Sequence, residues 1–463
     1  MIRLFDSAYG EIRELHPRDP GEISMYVCGP TVYDLPHLGH GRYTLIWDVA
    51  RRWFSFQGFT VHYVCNITDI DDNIIERAAR DDTTEVEIAK TYELQWWQAM
   101  DGLGEASPND VPHATQYVAE MVELIGLLLE RGVAYPTADG IYFDVSTVPD
   151  YGLLAGQPLA SLRAGARVEA NEQKRSPLDF ALWKNAKPGE PAWPAPFGDG
   201  RPGWHTECVV MSLDLLGDDF DLHCGGFDLR FPHHENERAQ AVAAGRPFAR
   251  HWAHSGWVMV GEEKMSKSLG NFTSLTDLLS KTDARAYRLL VLRSHYRSPI
   301  EVTPSTIADA ERALSRLDAL ARRFDLAVLA GERLEVKGDF DWPPVTRPLY
   351  DAVTEALDED LDTPQAVALL FEALSQANTL ADSGNVVEGR HLALAVNALF
   401  GALGLALRGG ADQVDEVSQA LVERRDEARN AQNWAEADRL RDELVALGWT
   451  VEDSVAGTLI RRR

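Results

Sequence analysis

Cysteine is scarce. The 463 residues hold four: Cys28, Cys65, Cys208 and Cys224. They are too few and too scattered for a disulfide framework, so a reducing, cytoplasmic setting is expected. Long apolar runs are missing too. Met1 to Leu15 carries charges throughout and has no apolar centre of the secretory kind. The nearest approach to a membrane span, Leu392 to Leu407, is broken by Asn397, Gly401 and Gly404. It falls short of the roughly 20 residues a bilayer requires, and a buried helix with no membrane contact is expected. Basic residues are outnumbered: 45 Lys and Arg against 72 Asp and Glu give a formal net charge of -27. That excludes a protein that coats nucleic acid indiscriminately, while leaving room for a local basic surface.

Three common site motifs are also lacking. No Gly-Lys-Ser/Thr occurs, so there is no P-loop. Gly39-His40-Gly41 opens like a dinucleotide fingerprint but has Thr44 where the third glycine belongs. His234-Glu235 opens like a zinc-protease motif but has Arg238 where the second histidine belongs.

What is present is a large apolar fraction, 45%, in a chain long enough for about three domains. Ile23 to Val27 reads as a buried strand ending in a turn at Gly29-Pro30. Leu45 to Phe56 has helical spacing, and Val61 to Val64 is a second strand. A strand–turn–helix–strand unit of this kind belongs to doubly wound α/β folds, which bind ligands beyond the carboxyl ends of their strands. Residues from about 115 to 200 look inserted, with an amphipathic helix at Tyr117 to Glu130 and an ordered loop at Lys187 to Gly203. Val209 to Leu216 and Ala249 to Val260 resume the α/β pattern. Ile307 to Leu329, Pro348 to Leu357 and Pro364 to Ala381 read as helices. After a linker at Gly409 to Asp412, Val414 to Ala431 and Trp434 to Leu447 form a last helix pair. In the second of these Ala437, Leu440, Leu444 and Leu447 share one face.

Two motifs carry the chemistry. His37-Leu38-Gly39-His40 follows Pro36 and precedes a helix, whose free N–H groups and dipole favour phosphate. Two imidazoles can donate to phosphate oxygens, and Gly39 lets a flat base approach the backbone. Alone, the motif reads first as ordinary surface histidines at a helix cap. Far downstream comes Lys264-Met265-Ser266-Lys267-Ser268, in a loop from Gly261 to Asn271. Two lysines there can neutralise a leaving pyrophosphate. In this order and at this distance, the pair resembles the ATP motifs of class I aminoacyl-tRNA synthetases, which activate a carboxylate as an adenylate.

A third cluster is rich in metal-ligand side chains. Phe231 to Glu237 places His233 and Glu237 four apart, on one face if helical. With Cys208 upstream and Cys28 at the end of the first strand, this makes a zinc set with two thiolates. From spacing alone, buried free cysteines beside a charged helix are the favoured reading.

The segments Cys28 to Asp34, Asn66 to Asp72, Arg201 to Cys208 and Gly225 to Glu237 resemble the blocks of the cysteinyl-tRNA synthetase family, and the similarity covers nearly the whole chain. The resemblance implies a Rossmann-like parallel-sheet catalytic domain (1–115 and 200–260) with a connective insertion (116–199). A lysine-motif and stem-contact region (261–305), a helical bundle (306–408) and a C-terminal anticodon-binding domain (409–463) follow. It implies one zinc on Cys28, Cys208, His233 and Glu237, to which the substrate's thiolate adds. It assigns Gly39, His37, His40 and Lys267 to ATP, with His37, His40, Lys264 and Lys267 catalytic. Cys28, Thr68, Trp204, His223 and Asp228 fall to the cysteine substrate. Magnesium accompanies ATP, the cysteine tRNA is the acceptor, and a monomer is implied. Two rivals are a ligase that passes activated cysteine to an amino sugar and a non-catalytic RNA-binding paralogue. The C-terminal arginines Arg424, Arg425, Arg429, Arg439, Arg441 and Arg461 to Arg463 favour tRNA, unless they form a solvated helix face.

Overall fold

The computed structural model describes residues 1–156, 173–259, 274–327, 342–409, 415–454 and 457–462. The chain opens with an antiparallel hairpin, β1 (Arg3–Asp6) and β2 (Glu11–Glu14). In β3 (Glu22–Val27) every residue after the first is buried, as a strand covered on both faces requires. Helix α1 (Leu38–Phe56) follows, and β4 (Thr60–Cys65) returns parallel to β3, pairing Ile23 with Val61 and Val27 with Cys65. The helix starts well before the expected Leu45. His37 caps it, its Nδ1 accepting from the His40 N–H at 3.1 Å while His40 Nδ1 accepts from the His37 N–H at 3.2 Å. His40 therefore lies in the first turn instead of ahead of it.

Helices α2 (Asp72–Arg80) and α3 (Glu85–Gly102) lead to α4 (Val118–Glu130), which opens the inserted body. There β5 (Ala134–Pro136), β6 (Gly140–Phe143), β7 (Phe180–Asn185) and β8 (Gly200–Pro202) form an antiparallel sheet in that order. Its own core includes Ile125, Leu128, Phe143, Leu182 and Trp183. The sequence pattern foretold the helix but not the sheet. All four residues of β6 are buried, so no alternation marks it, and the stretch expected as a loop contributes β8.

Helix α5 (Trp204–Leu215), β9 (Leu222–Gly226), α6 (Glu235–Ala243) and β10 (His251–Ser255) complete the central sheet. Its order is β10-β9-β3-β4 with every pair parallel. The winding reverses between β3 and β9, and the crevice beyond their carboxyl ends is where such sheets bind ligands. Short strands β11 (Val258–Met259) and β12 (Ile300–Glu301) pair beside it. Lys264 and Lys267 lie outside the described residues.

The helical part comprises Pro304–Arg323, Arg347–Asp358, Thr363–Asp382 and Val386–Ala402. The first ends short of the expected Leu329, because Asp325 takes a left-handed φ of 49° just past its cap. The Leu392 segment is buried core, and no helix among the described residues is long and apolar enough to cross a membrane. At the C-terminus, helices Glu416–Asn430 and Trp434–Ala446 pack with an unforeseen hairpin, β13 (Trp449–Ser454) and β14 (Gly457–Arg462). Leu421, Leu440, Leu444 and Trp449 form their core. Ala437, Leu440 and Leu444 are buried as expected. Leu447 is not: it lies past the last helical residue and is 45% exposed.

Candidate active site and metal centre

Four donors converge in the crevice. Cys28 follows β3, Cys208 lies one turn into α5, and His233 and Glu237 stand one turn apart at the start of α6. All four are buried. Cys28 Sγ is 3.7 Å from Cys208 Sγ and 3.7 Å from Glu237 Oε1. Cys208 Sγ is 3.6 Å from His233 Nε2, and His233 Nε2 is 3.1 Å from Glu237 Oε1. A tetrahedral ion with bonds of about 2.3 Å to sulfur and about 2.0 Å to nitrogen or oxygen has edges of about 3.3–3.8 Å. The residues fit such an ion. Burial raises the Cys28 and Cys208 thiols and the Glu237 carboxyl, and lowers His233 well below the ordinary imidazole value. A divalent cation reverses that cost for the anionic donors.

A second grouping replaces Cys208 and His233 with His223 and His234. It fits less well. His223 Nε2 and Glu237 Oε2 are 2.7 Å apart, which is a hydrogen bond and not a coordination edge. His223 thus donates to the carboxylate oxygen that faces away from the thiols. His233 is oriented in the same manner. Its Nδ1 is 2.9 Å from Nδ1 of His205. Burial, with Lys184 nearby, lowers His205 to about 3, and burial lowers His233 as well, so both rings are neutral; with His233 Nδ1–H as the donor of this bond, its Nε2 lone pair is left for a metal. Trp204 lies flat on the His233 ring, centroids 4.0 Å apart.

Thr68 meets this group from the side. Its hydroxyl donates to Glu207 Oε2 at 2.7 Å, and Glu207 Oε1 is buried with no hydrogen-bond partner among the described residues. Asn66 Oδ1 accepts from the Gly29 N–H at 2.9 Å and lies 3.7 Å from Cys208 Sγ. Asp228 is exposed just past β9, where a Cβ on Gly226 would come 2.5 Å from its carboxylate. Burial lowers His37, and the charge of Asp228 works against that shift, so the acid lies near the histidine motif.

The rings of His37 and His40 stack at 3.5 Å, and a Cβ on Gly39 would meet the His37 ring at 3.0 Å. Gly39 therefore makes room for a ring of its own motif. Both Nδ1 atoms accept backbone N–H groups, which fixes the proton of each neutral ring on Nε2. Burial, then the neighbouring His37, holds His40 well below its ordinary value. Two Nε2–H donors result at a helix N-terminus.

Every expected residue among those described thus gathers around the crevice. Asn66, His205 and Glu207 were not singled out from the sequence, although each falls within a quoted block. His234 bonds through Nδ1 to His254 Nε2 at 2.9 Å, and His254 Nδ1 bonds to Ser7 Oγ at 2.7 Å. No local spacing joins these three. Cys224 takes part only through its carbonyl, which accepts from the Cys28 N–H at 3.2 Å. Of the C-terminal arginines, Arg439 pairs with Glu436 and Glu443 along its own helix, and Arg425 is buried against Thr458 at 2.6 Å. Both are accounted for within the fold.

Residues 14–312 match the family described as tRNA synthetases class I (C) catalytic domain. Residues 352–408 match a DALR domain, and 411–461 match the cysteinyl-tRNA ligase anticodon binding domain. The chain is 43% identical over its full length, and the relative's, to a cysteine–tRNA ligase of Chromobacterium violaceum. It is 44% identical, again with full coverage of both chains, to one of Alkalilimnicola ehrlichii. Among solved structures, it is similar in fold to Mycobacterium tuberculosis methionyl-tRNA synthetase in complex with methionyl-adenylate. The TM-score is 0.61 at 16% identity, covering 82% of this chain and 89% of that one.

Proposed function

The chain belongs to the cysteinyl-tRNA ligase family of class I aminoacyl-tRNA synthetases and is a cysteine–tRNA ligase, and from that premise we propose which of its residues do the work. In the first step a carboxylate oxygen of cysteine attacks the α-phosphorus of ATP, and the bond to pyrophosphate breaks. In the second, a ribose hydroxyl of the terminal adenosine of tRNA attacks the carbonyl carbon of cysteinyl-adenylate, and AMP leaves. Neither step needs a covalent enzyme intermediate. Positioning and charge stabilisation carry both.

Cys28, Cys208, His233 and Glu237 hold one zinc ion; the observation that carries this is their set of tetrahedral separations. Bound zinc supplies a preference for thiolate sulfur over a neutral hydroxyl. Serine differs from cysteine in one atom, and a site built around one required polar contact rejects the analogue by roughly 10⁴–10⁵. Trp204 and His223 brace His233 and Glu237 and close the wall of the pocket. Thr68 and Asp228 receive the substrate's ammonium group, Asp228 being placed for the adenosine ribose as well. His37 and His40 donate through Nε2–H to ATP phosphates, and Lys264 and Lys267 neutralise the departing pyrophosphate with magnesium. Residues 1–115 and 200–260 form the catalytic domain around the insertion at 116–199. The 261–305 segment meets the acceptor stem, 306–408 are the bundle, and 409–463 hold the anticodon end of the cysteine tRNA. The match over 411–461 disfavours an amino-sugar acceptor.

Pyrophosphate exchange tests the reading. Cysteine should support it and serine should not. Activity with serine within about tenfold of cysteine would replace the metal by a shape-selective pocket.

A further inference from the structure

A second cavity abuts the helix that carries the histidine motif and reaches Cys65 at the end of β4. Its volume is 320 Å³, and Thr44, Tyr63, Trp96, Trp97, Met100 and Glu105 line it. That is near the lower end of ligand pockets, roughly 300–1,000 Å³, and suits a one- or two-ring molecule. The walls are held rigidly. Asp48 accepts from the Ala106 N–H at 3.1 Å, and Arg51, paired with Asp48, donates to the Ser107 carbonyl at 3.1 Å. These bonds fix the segment that carries Glu105.

Among the polar side chains of this cavity, which include Arg51, Gln98 and Asp101, Glu105 is only partly used. Glu105 is half-buried, and one carboxyl oxygen lies 2.7 Å from Thr44 Oγ1. Its other oxygen makes no hydrogen bond among the described residues. Thr44 Oγ1 is also 3.0 Å from the His40 carbonyl, and a hydroxyl has one hydrogen to give. With Thr44 donating to His40, a protonated Glu105 donates to Thr44. With Glu105 ionised, Thr44 donates to it. In both states the second oxygen of Glu105 is an acceptor facing the cavity. Around it stand two indoles, and Trp96 packs edge-on against the His40 ring at 5.2 Å.

We propose that this cavity is a second small-molecule site, for a compact aromatic amine whose rings lie among Trp96, Trp97 and Met100 and whose N–H donates to Glu105. Such a ligand touches the ring that abuts His40. Its binding is therefore linked to that of ATP, by the same factor read from either side.

The test uses the full chain with zinc, and 3-aminoquinoline as probe with quinoline as the analogue lacking N–H. Binding is followed by titration in the presence of saturating cysteine and a non-hydrolysable ATP analogue, which fill the reaction site. One saturable probe per chain is expected. Quinoline should bind about tenfold more weakly, the loss of one hydrogen bond to a carboxylate oxygen. Glu105→Met should weaken 3-aminoquinoline by a similar factor while leaving quinoline unchanged and pyrophosphate exchange intact. If that variant does not fold, intermolecular nuclear Overhauser contacts between the probe and the Trp97 indole in the parent carry the test. No saturable binding, complete displacement by the ATP analogue, or equal affinity for the two probes would overturn the proposal.

Discussion

Cys28 Sγ and Cys208 Sγ stand 3.7 Å apart although they are 180 positions apart in the chain. Cys28 is placed by the end of β3, and Cys208 by the first turns of α5. The backbone ties the first to the neighbouring strand, since the Cys28 N–H donates to the Cys224 carbonyl at 3.2 Å. The separation far exceeds the roughly 2.05 Å of a disulfide. It suits two thiolates sharing a cation, and it gives the first prediction its target.

Purified protein should carry about one zinc per chain. Cys208→Ala and His233→Ala should abolish both zinc retention and cysteine activation. His205→Ala keeps all four donors but removes the acceptor of His233 Nδ1–H. It should weaken zinc binding by about 10–100-fold, the usual cost of an outer hydrogen bond to a ligating histidine. Metal analysis and competition with a chelator measure both. Full zinc occupancy in Cys208→Ala would refute the ligand set.

Lys267→Ala should slow adenylate formation by about 100-fold or more, with little change in cysteine affinity. Charge on the leaving pyrophosphate is greatest in the transition state, so the loss falls on kcat. Rapid-quench measurement of adenylate alongside equilibrium binding of cysteine separates the two. An equal loss in both would move Lys267 into the amino-acid pocket.

Glu105 should make stability depend on pH in a specific direction. Burial, then the nearby Asp48, pushes its carboxyl up to about 8, against an ordinary value of about 4.3. A folded value above the unfolded one means that the folded state holds the proton more tightly. The stabilisation is then complete below about pH 4.3 and lost as pH rises through about 8. Glu105→Gln removes this titration. The Tm of the variant should gain on the parent by several degrees between pH 5 and pH 9, since a shift of that size is worth up to about 4 kcal/mol over that interval. A gap that stays constant over that range would mean that Glu105 is ionised in the fold throughout.

The C-terminal unit builds its core from its own residues, Leu421, Leu440, Leu444 and Trp449. Cutting the chain after Gly409 should therefore leave cysteine-dependent pyrophosphate exchange within about threefold of the parent and lower kcat/KM for tRNA by about 100-fold or more. That loss corresponds to about 2.7 kcal/mol of binding. In the full chain tRNA affinity should fall steeply with added salt, because phosphate contacts release counterions, and cysteine activation should respond much less. Unchanged charging by the cut chain would remove the anticodon role from residues 410–463.

The sequence by itself determined the chemistry. His37 and His40, Lys264 and Lys267, and the blocks around Cys28, Asn66, Cys208 and His233 are local strings whose residue types and order identify an adenylate-forming site. The helices were legible for the same reason, because a period of 3.6 is written in neighbouring residues. The tertiary structure decided what depends on residues far apart in the chain. The parallel order β10-β9-β3-β4 brings Cys28 to Cys208 and His233, and no spacing rule reaches across such distances. The tautomers of His37 and His40 follow from a reciprocal cap that exists only once the helix has formed. In the insertion's sheet β6 and β8 escaped notice because strands this short and this evenly buried carry no alternation. The exposed Leu447 shows the limit from the other side. Periodicity puts a residue on a helix face, but it cannot tell where the helix stops, and there the chain has already turned away from the core.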